Sequence, residues 1–191
     1  LVGTQMVAKG HDFPEVTLAA ILDADATLRF PDFRAEERTF SLVTQLAGRS
    51  GRSRTGGKVI VQTLAPGSPS ISHAATHDSA GFLAGELDRR RELGYPPFSH
   101  LIRIQLAAEA EPEVERAANL VAARLDDALP AGAEMLGPAP MFRARNRYRR
   151  RLLVRSTTRA ESIAAVHSTI EELLADKSLR KITLAIDVDP Q

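Results

Sequence analysis

In the first third of the chain, short apolar runs alternate with amphipathic stretches. Leu18-Ala19-Ala20-Ile21-Leu22 is wholly apolar and ends at Asp23, the pattern of a parallel strand buried on both faces. Glu36 to Ala47 carries Phe40, Val43 and Leu46 at helical spacing, and Lys58 to Gln62, preceded by Gly56-Gly57, reads as a second short strand. Strands alternating with helices predict a doubly wound parallel sheet. Beyond Pro66-Gly67-Ser68-Pro69 a helical stretch runs from about Ser70 to Leu93. Gly94-Tyr95-Pro96-Pro97 stops it, because proline cannot continue a helix and biases the preceding residue away from one. A domain boundary is expected there.

The last half changes period. Ile102, Ile104 and Leu106 alternate with Arg103 and Gln105, a half-buried strand. Pro112 opens a helix with Val114, Ala117, Ala118, Val121, Ala122 and Leu125 on one face. Glu134 to Leu136 reads as a short strand closed by Gly137-Pro138, and Leu152 to Val154 as another. A helix with Ile163, Val166, Ile170 and Leu174 follows, then a strand in which Ile182, Leu184, Ile186 and Val188 alternate. The order β-α-β-β-α-β is that of a ferredoxin-like α+β sandwich. The expected organisation is an α/β first part over 1–66, a helical connector over 67–96 and an α+β domain over 97–191.

Composition bounds the function. Hydrophobic residues make up 43% of 191 and charged residues 26%, ordinary for a globular chain with a real core. The absence of Cys excludes a disulfide framework and any Cys-ligated zinc within this chain. No apolar run approaches the ~20 residues a membrane-spanning helix needs, and the expectation is a cytoplasmic protein. The opening Leu1-Val2-Gly3-Thr4 reads as the middle of a buried strand, so the chain is expected to be a piece of a longer protein.

Net charge is only +1, yet its distribution is uneven: between Arg143 and Arg159 there are eight arginines and no acidic residue. Such segregation marks a footprint for phosphates or for an acidic peptide. Arg143, Arg145, Arg147, Arg149 and Arg151 fall at every second position; in an extended stretch they line one face at about 6.6 Å intervals and can meet successive phosphates. Phe142 and Tyr148 offer stacking surfaces beside them. The alternative is a solvated basic loop.

Gln45-Leu46-Ala47-Gly48-Arg49-Ser50-Gly51-Arg52 follows a helix, and its glycines let the backbone turn sharply beside a ligand. Two arginines three residues apart can aim permanently charged forks at a phosphate. A glycine-rich surface loop with solvated arginines is the plainer reading of that string alone. Three look-alikes carry less. Asp23 and Asp25 mimic a Mg²⁺-holding acid after a strand but fit turn acids. Gly51 to Lys58 has the wrong glycine spacing for a phosphate loop. His73 and His77, four apart on the expected helix, have no carboxylate motif to complete a metal site. No metal is expected in this chain.

Gly3-Thr4-Gln5-Met6-Val7-Ala8-Lys9-Gly10-His11-Asp12-Phe13-Pro14 and the string around Arg49 together resemble motifs V and VI of superfamily 2 helicases. Leu22-Asp23-Ala24-Asp25, Asp32 to Arg38, Tyr95-Pro96-Pro97-Phe98 and the closing Ile186 to Pro190 narrow the resemblance to the PriA (primosomal protein N′) family, over essentially the whole chain. The resemblance implies part of a second RecA-like helicase lobe followed by a DNA- and protein-interacting domain. It also implies a parent that is an ATP-dependent 3′–5′ DNA helicase recognising stalled or recombined replication forks and starting primosome assembly. Thr4, Gln5 and Lys9 would meet DNA, Lys9 being able to serve the nucleotide instead. Gly10 and Asp12 would lie toward the nucleotide, although Asp12 also fits a turn cap. Arg49 and Arg52 would face the triphosphate, Arg52 as the arginine finger, and Gln45 would couple nucleotide state to DNA grip. ATP and Mg²⁺ would be held mainly by a lobe not in this chain, and the family's zinc ligands are likewise outside it. Expected partners are forked and single-stranded DNA, single-stranded-DNA-binding protein and other primosome proteins, in the bacterial nucleoid. Arg147 and Arg151, with Arg149 and Tyr148, are the candidates for DNA or for the acidic tail of that binding protein. The alternative is a helicase-derived, non-catalytic adaptor that binds forks and the same protein.

Overall fold

Two hydrophobic clusters, neither sharing a residue with the other, organise the chain. The computed structural model describes residue 3 and residues 17–50, 57–175 and 177–190, with the side chains of 49 and 50 outside the description. The described chain is mixed α/β and divides into two compact units, 1–89 and 90–191.

In the first unit, β1 (Leu18–Ile21) and β2 (Lys58–Val61) pair in parallel, with Leu18 opposite Lys58 and Ile21 opposite Val61. Parallel neighbours need a crossover, and α1 (Asp25–Leu28) and α2 (Ala35–Ser50) lie within it. Ile21, Ala24 and Val43 are buried together with Ile71 and Ala74 of α3 (Pro69–Ala75), and Phe40, Leu46 and Val61 pack against them. Phe82 of α4 (Ser79–Glu92) stacks on Phe40 with ring centroids 4.2 Å apart. Burial of both faces of the sheet, expected from its wholly apolar strands, does not hold: Leu18 is 56% exposed and Ile60 47%, because no described element covers their side.

The helical stretch expected over 70–93 is two helices. The chain leaves helical geometry at His77, where φ is +56°, and Asp78 restarts it by accepting the Gly81 N–H at 2.8 Å, an N-terminal cap for α4.

The second unit holds β3 (His100–Ala108), α5 (Glu111–Ala128), β4 (Glu134–Ala144), β5 (Arg147–Ser156), α6 (Arg159–Ala175) and β6 (Thr183–Val188). Its four strands form an antiparallel sheet in the order β4-β5-β3-β6. Ile102, Ile104, Leu106 and Ala108 of β3, with Leu152 and Val154 of β5, bury against Val114, Ala118, Val121 and Leu125 of α5 and Val166, Ile170 and Leu173 of α6. Each Val, Leu or Ile side chain among them taken fully out of water is worth about 1.5–3 kcal/mol, so this cluster dominates the unit's stability.

Two strands are longer than their apolar patterns predicted. β4 continues past Gly137-Pro138 through two register shifts, one between Leu136 and Ala139 and one between Met141 and Ala144. β4 borders only β5, and Pro138 and Pro140 lie along it, where a missing N–H is tolerated.

Candidate nucleic-acid interface

Alternation along β5 sorts its side chains by face. Leu152 and Val154 enter the core and Tyr148 packs against it, whereas Arg147, Arg149, Arg151, Leu153 and Arg155 take the opposite face. Register brings Leu101, Arg103, Gln105 and Ala107 of β3 beside them, then Thr183, Ala185 and Asp187 of β6. Both long helices of the unit, α5 and α6, contribute to the core side, so neither of them lies on this second face.

The cations on that face are not equivalent. Arg103 is paired with Asp187 at 2.5 Å. Arg155 bonds Glu134 and the Leu93 carbonyl and lies 5.6 Å from the Tyr95 ring centroid, which anchors the 93–95 segment to β5. Arg147 donates to Thr183 Oγ1 and sits 3.7 Å from Glu109, whose side chain is almost fully exposed. Arg149 donates to Gln105 Oε1 at 3.0 Å and meets no carboxylate among the described residues. The side chain of Arg151 has neither a hydrogen bond nor an ion pair among them. Arg149 and Arg151 therefore carry the unneutralised charge, with Arg147 only weakly paired to the exposed Glu109, at the spacing of about 6.6 Å that alternate strand residues impose.

A single row of five arginines is not what forms. The chain reverses at Arg145 and Asn146, whose φ values of +50° and +61° are those of a tight hairpin turn, so Arg143 lies on β4 and Arg145 at the tip. Between Met141 and Ala144 one extra β4 residue is accommodated, leaving Phe142 and Arg143 against Tyr148. Arg143 places its guanidinium 4.5 Å from the Tyr148 ring centroid, a cation–π contact, and Phe142 is left 90% exposed. Arg150, on the core side, reaches Glu111 at 2.9 Å and Glu115 at 3.9 Å on α5, a structural tie.

Gln45 is exposed on α2 and donates from Nε2 to Ser41 Oγ at 2.9 Å. Arg49 lies in the last turn of the same helix, with its side chain outside the described residues. Thr4, Gln5, Lys9, Gly10, Asp12 and Arg52 also lie outside them. Asp25 ties the turn after β1 to the segment after β2: it accepts the Leu64 N–H at 2.8 Å and the Thr63 hydroxyl at 3.1 Å. The Leu64 N–H chiefly, with Thr63 and Arg29, holds its carboxyl below the usual range against the effect of burial. His73 bonds Asp78 at 2.9 Å, and His77 lies beyond the end of α3, so the two histidines do not share a helix face. Among the described residues no group of three His, Asp or Glu converges as a metal site would.

Local sequence did not single out Arg103, Gln105 or Arg155 as neighbours of the arginine run. They reach it through strand pairing across 46 to 54 residues (for instance Gln105 opposite Arg151, Arg155 opposite Leu101), and no local signal encodes that distance.

What these features define is an α/β chain whose second unit presents an arginine-bearing sheet face. The family model of the primosomal protein N C-terminal domain matches residues 91–191, and the chain belongs to that family. Over its whole length it is 40% identical to the replication restart protein PriA of Synechocystis sp., of which it covers 22%. The proteins of that name from Bacillus subtilis and Treponema pallidum are 37% and 38% identical over the same span, with 24% and 29% of their lengths covered. The chain thus spans between 22% and 29% of these relatives.

Proposed function

We propose that this chain is the C-terminal part of an ATP-dependent 3′–5′ DNA helicase that recognises stalled or recombined replication forks and starts primosome assembly, and that the arginine face of its sheet lies on DNA. The family and the name shared by its relatives support a role in replication restart. The observation that carries the DNA contact is the set Arg147, Arg149 and Arg151 on one side of β5, of which Arg149 and Arg151 meet no carboxylate among the described residues. The Arg149→Glu/Arg151→Glu double variant should weaken binding to forked DNA and reduce the slope of log affinity against log salt by about 2, near 0.9 per phosphate contact. An unchanged slope would remove DNA from this face.

The first unit is read as part of a second RecA-like lobe, supported by two parallel strands joined through α2. The second is read as ferredoxin-like, supported by the order β4-β5-β3-β6 and the succession β-α-β-β-α-β. In this reading Thr4, Gln5 and Lys9 contact DNA, Gly10, Asp12, Arg49 and Arg52 contact ATP, and Gln45 links the two. ATP with Mg²⁺ supplies the phosphoryl-transfer chemistry when bound. A Cys-ligated zinc does not fit this chain, which has no Cys. The 191-residue chain alone should show no DNA-stimulated ATP hydrolysis, since it contains no phosphate loop with its Lys. In the full-length parent Arg52→Ala should cut unwinding by about 10³-fold while fork binding persists. Unwinding at the wild-type rate would place the arginine finger elsewhere, and a full-length parent that unwinds no fork at all would favour the non-catalytic adaptor.

The acidic tail of single-stranded-DNA-binding protein fits the same guanidiniums, Arg147 and Arg151 foremost, because the side chain of Arg151 has no internal partner among the described residues. Competition between an acidic peptide and forked DNA on the Arg151→Glu variant tests it.

A further inference from the structure

The tip of the β4–β5 hairpin combines three properties that the arginine face alone does not explain. Phe142 is 90% exposed, the most exposed large apolar side chain among the described residues, and makes no ring contact there. The extra β4 residue puts it beside Arg143, and Arg143 instead of Phe142 covers the Tyr148 ring. The turn that follows places Arg145 in solvent with no partner among the described residues. A single exposed apolar side chain is ordinary on a protein surface; what sets Phe142 apart is an aromatic ring 90% exposed in a stretch of arginines, beside Arg143 and near Arg145 at the turn.

We propose that Phe142 is a base-stacking residue that takes an unpaired base of single-stranded DNA, with Arg143 and Arg145 on the flanking phosphates. This rests on the reading that the second unit binds DNA, and adds to it the recognition of single strands over duplex. The hairpin's own residues are complementary to a polyanion, with no Asp or Glu between Glu134 and Glu161, the nearest carboxylate to its arginines near the turn being the largely exposed Glu109, 3.7 Å from Arg147. The shape selects among polyanions. An acidic peptide would anchor its apolar side chain in a concavity, and a ring 90% exposed lines none. A flat π-face projecting from a convex tip is what a base can stack on, and duplex bases, already stacked, cannot use it.

The test uses the 191-residue chain with three fluorescent probes: an oligothymidylate of about 16 nucleotides, an abasic strand of equal length and a duplex. Phe142→Ala should weaken oligothymidylate binding about tenfold, the size of one stacked base, and leave the abasic strand and duplex unchanged. Phe142→Trp should restore it. Equal loss on the abasic strand, or no loss on oligothymidylate, overturns the proposal. The Arg149→Glu/Arg151→Glu variant separates the two readings. If it is silent on every DNA, the arginine face is not the DNA site; if it weakens all three probes while Phe142→Ala is silent, only the role of the ring fails. Phe142 has no buried contact, so the thermal unfolding curve of each Phe142 variant should overlay that of the wild type.

Discussion

Gly137 sits at φ +105°, where side chains are strained, and a Cβ built there would lie 2.6 Å from the Arg151 carbonyl oxygen. Both facts oppose substitution, and Gly137→Ala should cost about 1–3 kcal/mol in denaturant unfolding. In the sequence Gly137-Pro138 looked like the end of a strand; it is a bulge within one, and punctuation by Gly and Pro does not separate the two cases. Asp78 gives a pH signature. The Gly81 N–H, then His73, holds its carboxyl below the usual range, so folding favours the ionised form. The resulting stability is present above the unfolded value of about 3.9 and is lost as pH falls through the lower folded value. Asp78→Asn keeps a cap but no charge. The gap between its melting temperature and the wild type's should therefore shrink on acidification from about pH 6 to about pH 3. A gap independent of pH would mean the charge contributes nothing. Asp189 behaves in the same sense: burial pushes it up, but Arg159, the Leu101 contact and His100 outweigh that and hold it down.

At the level of elements, periodicity located every described strand, and it failed where one strand carries two kinds of residue. The apolar part of β5, Leu152 to Val154, was legible; its arginine half was read as part of a continuous extended row because nothing apolar marked the reversal at Arg145-Asn146. Alternation nevertheless places Arg147, Arg149 and Arg151 together, since a period of two survives inside the strand. The same strand contrasts two kinds of contact. Leu152→Ala empties a fully buried site and should cost about 2–5 kcal/mol. Arg150→Ala removes pairs with Glu111 and Glu115, both half exposed, and should cost about 1 kcal/mol or less. Chemical denaturation of the two variants side by side decides whether the tie to α5 or the core holds β5.

At the scale of the molecule, the second unit has its own core of both helices and the four-stranded sheet, with none of its buried members before Ile102. A fragment spanning 90–191 should therefore unfold in one cooperative transition by circular dichroism; a gradual, non-cooperative melt would show that the core is not self-sufficient. The family was legible because whole strings carry it, whereas the site was legible only in part: Arg103 and Asp187 meet on neighbouring strands 84 positions apart. The border strand β4 has one more consequence. Pro138 and Pro140 withhold the amide hydrogens that a stray strand would need to zip onto that rim. Molecules crowded at high concentration are thus discouraged from growing side by side into fibrous sheets.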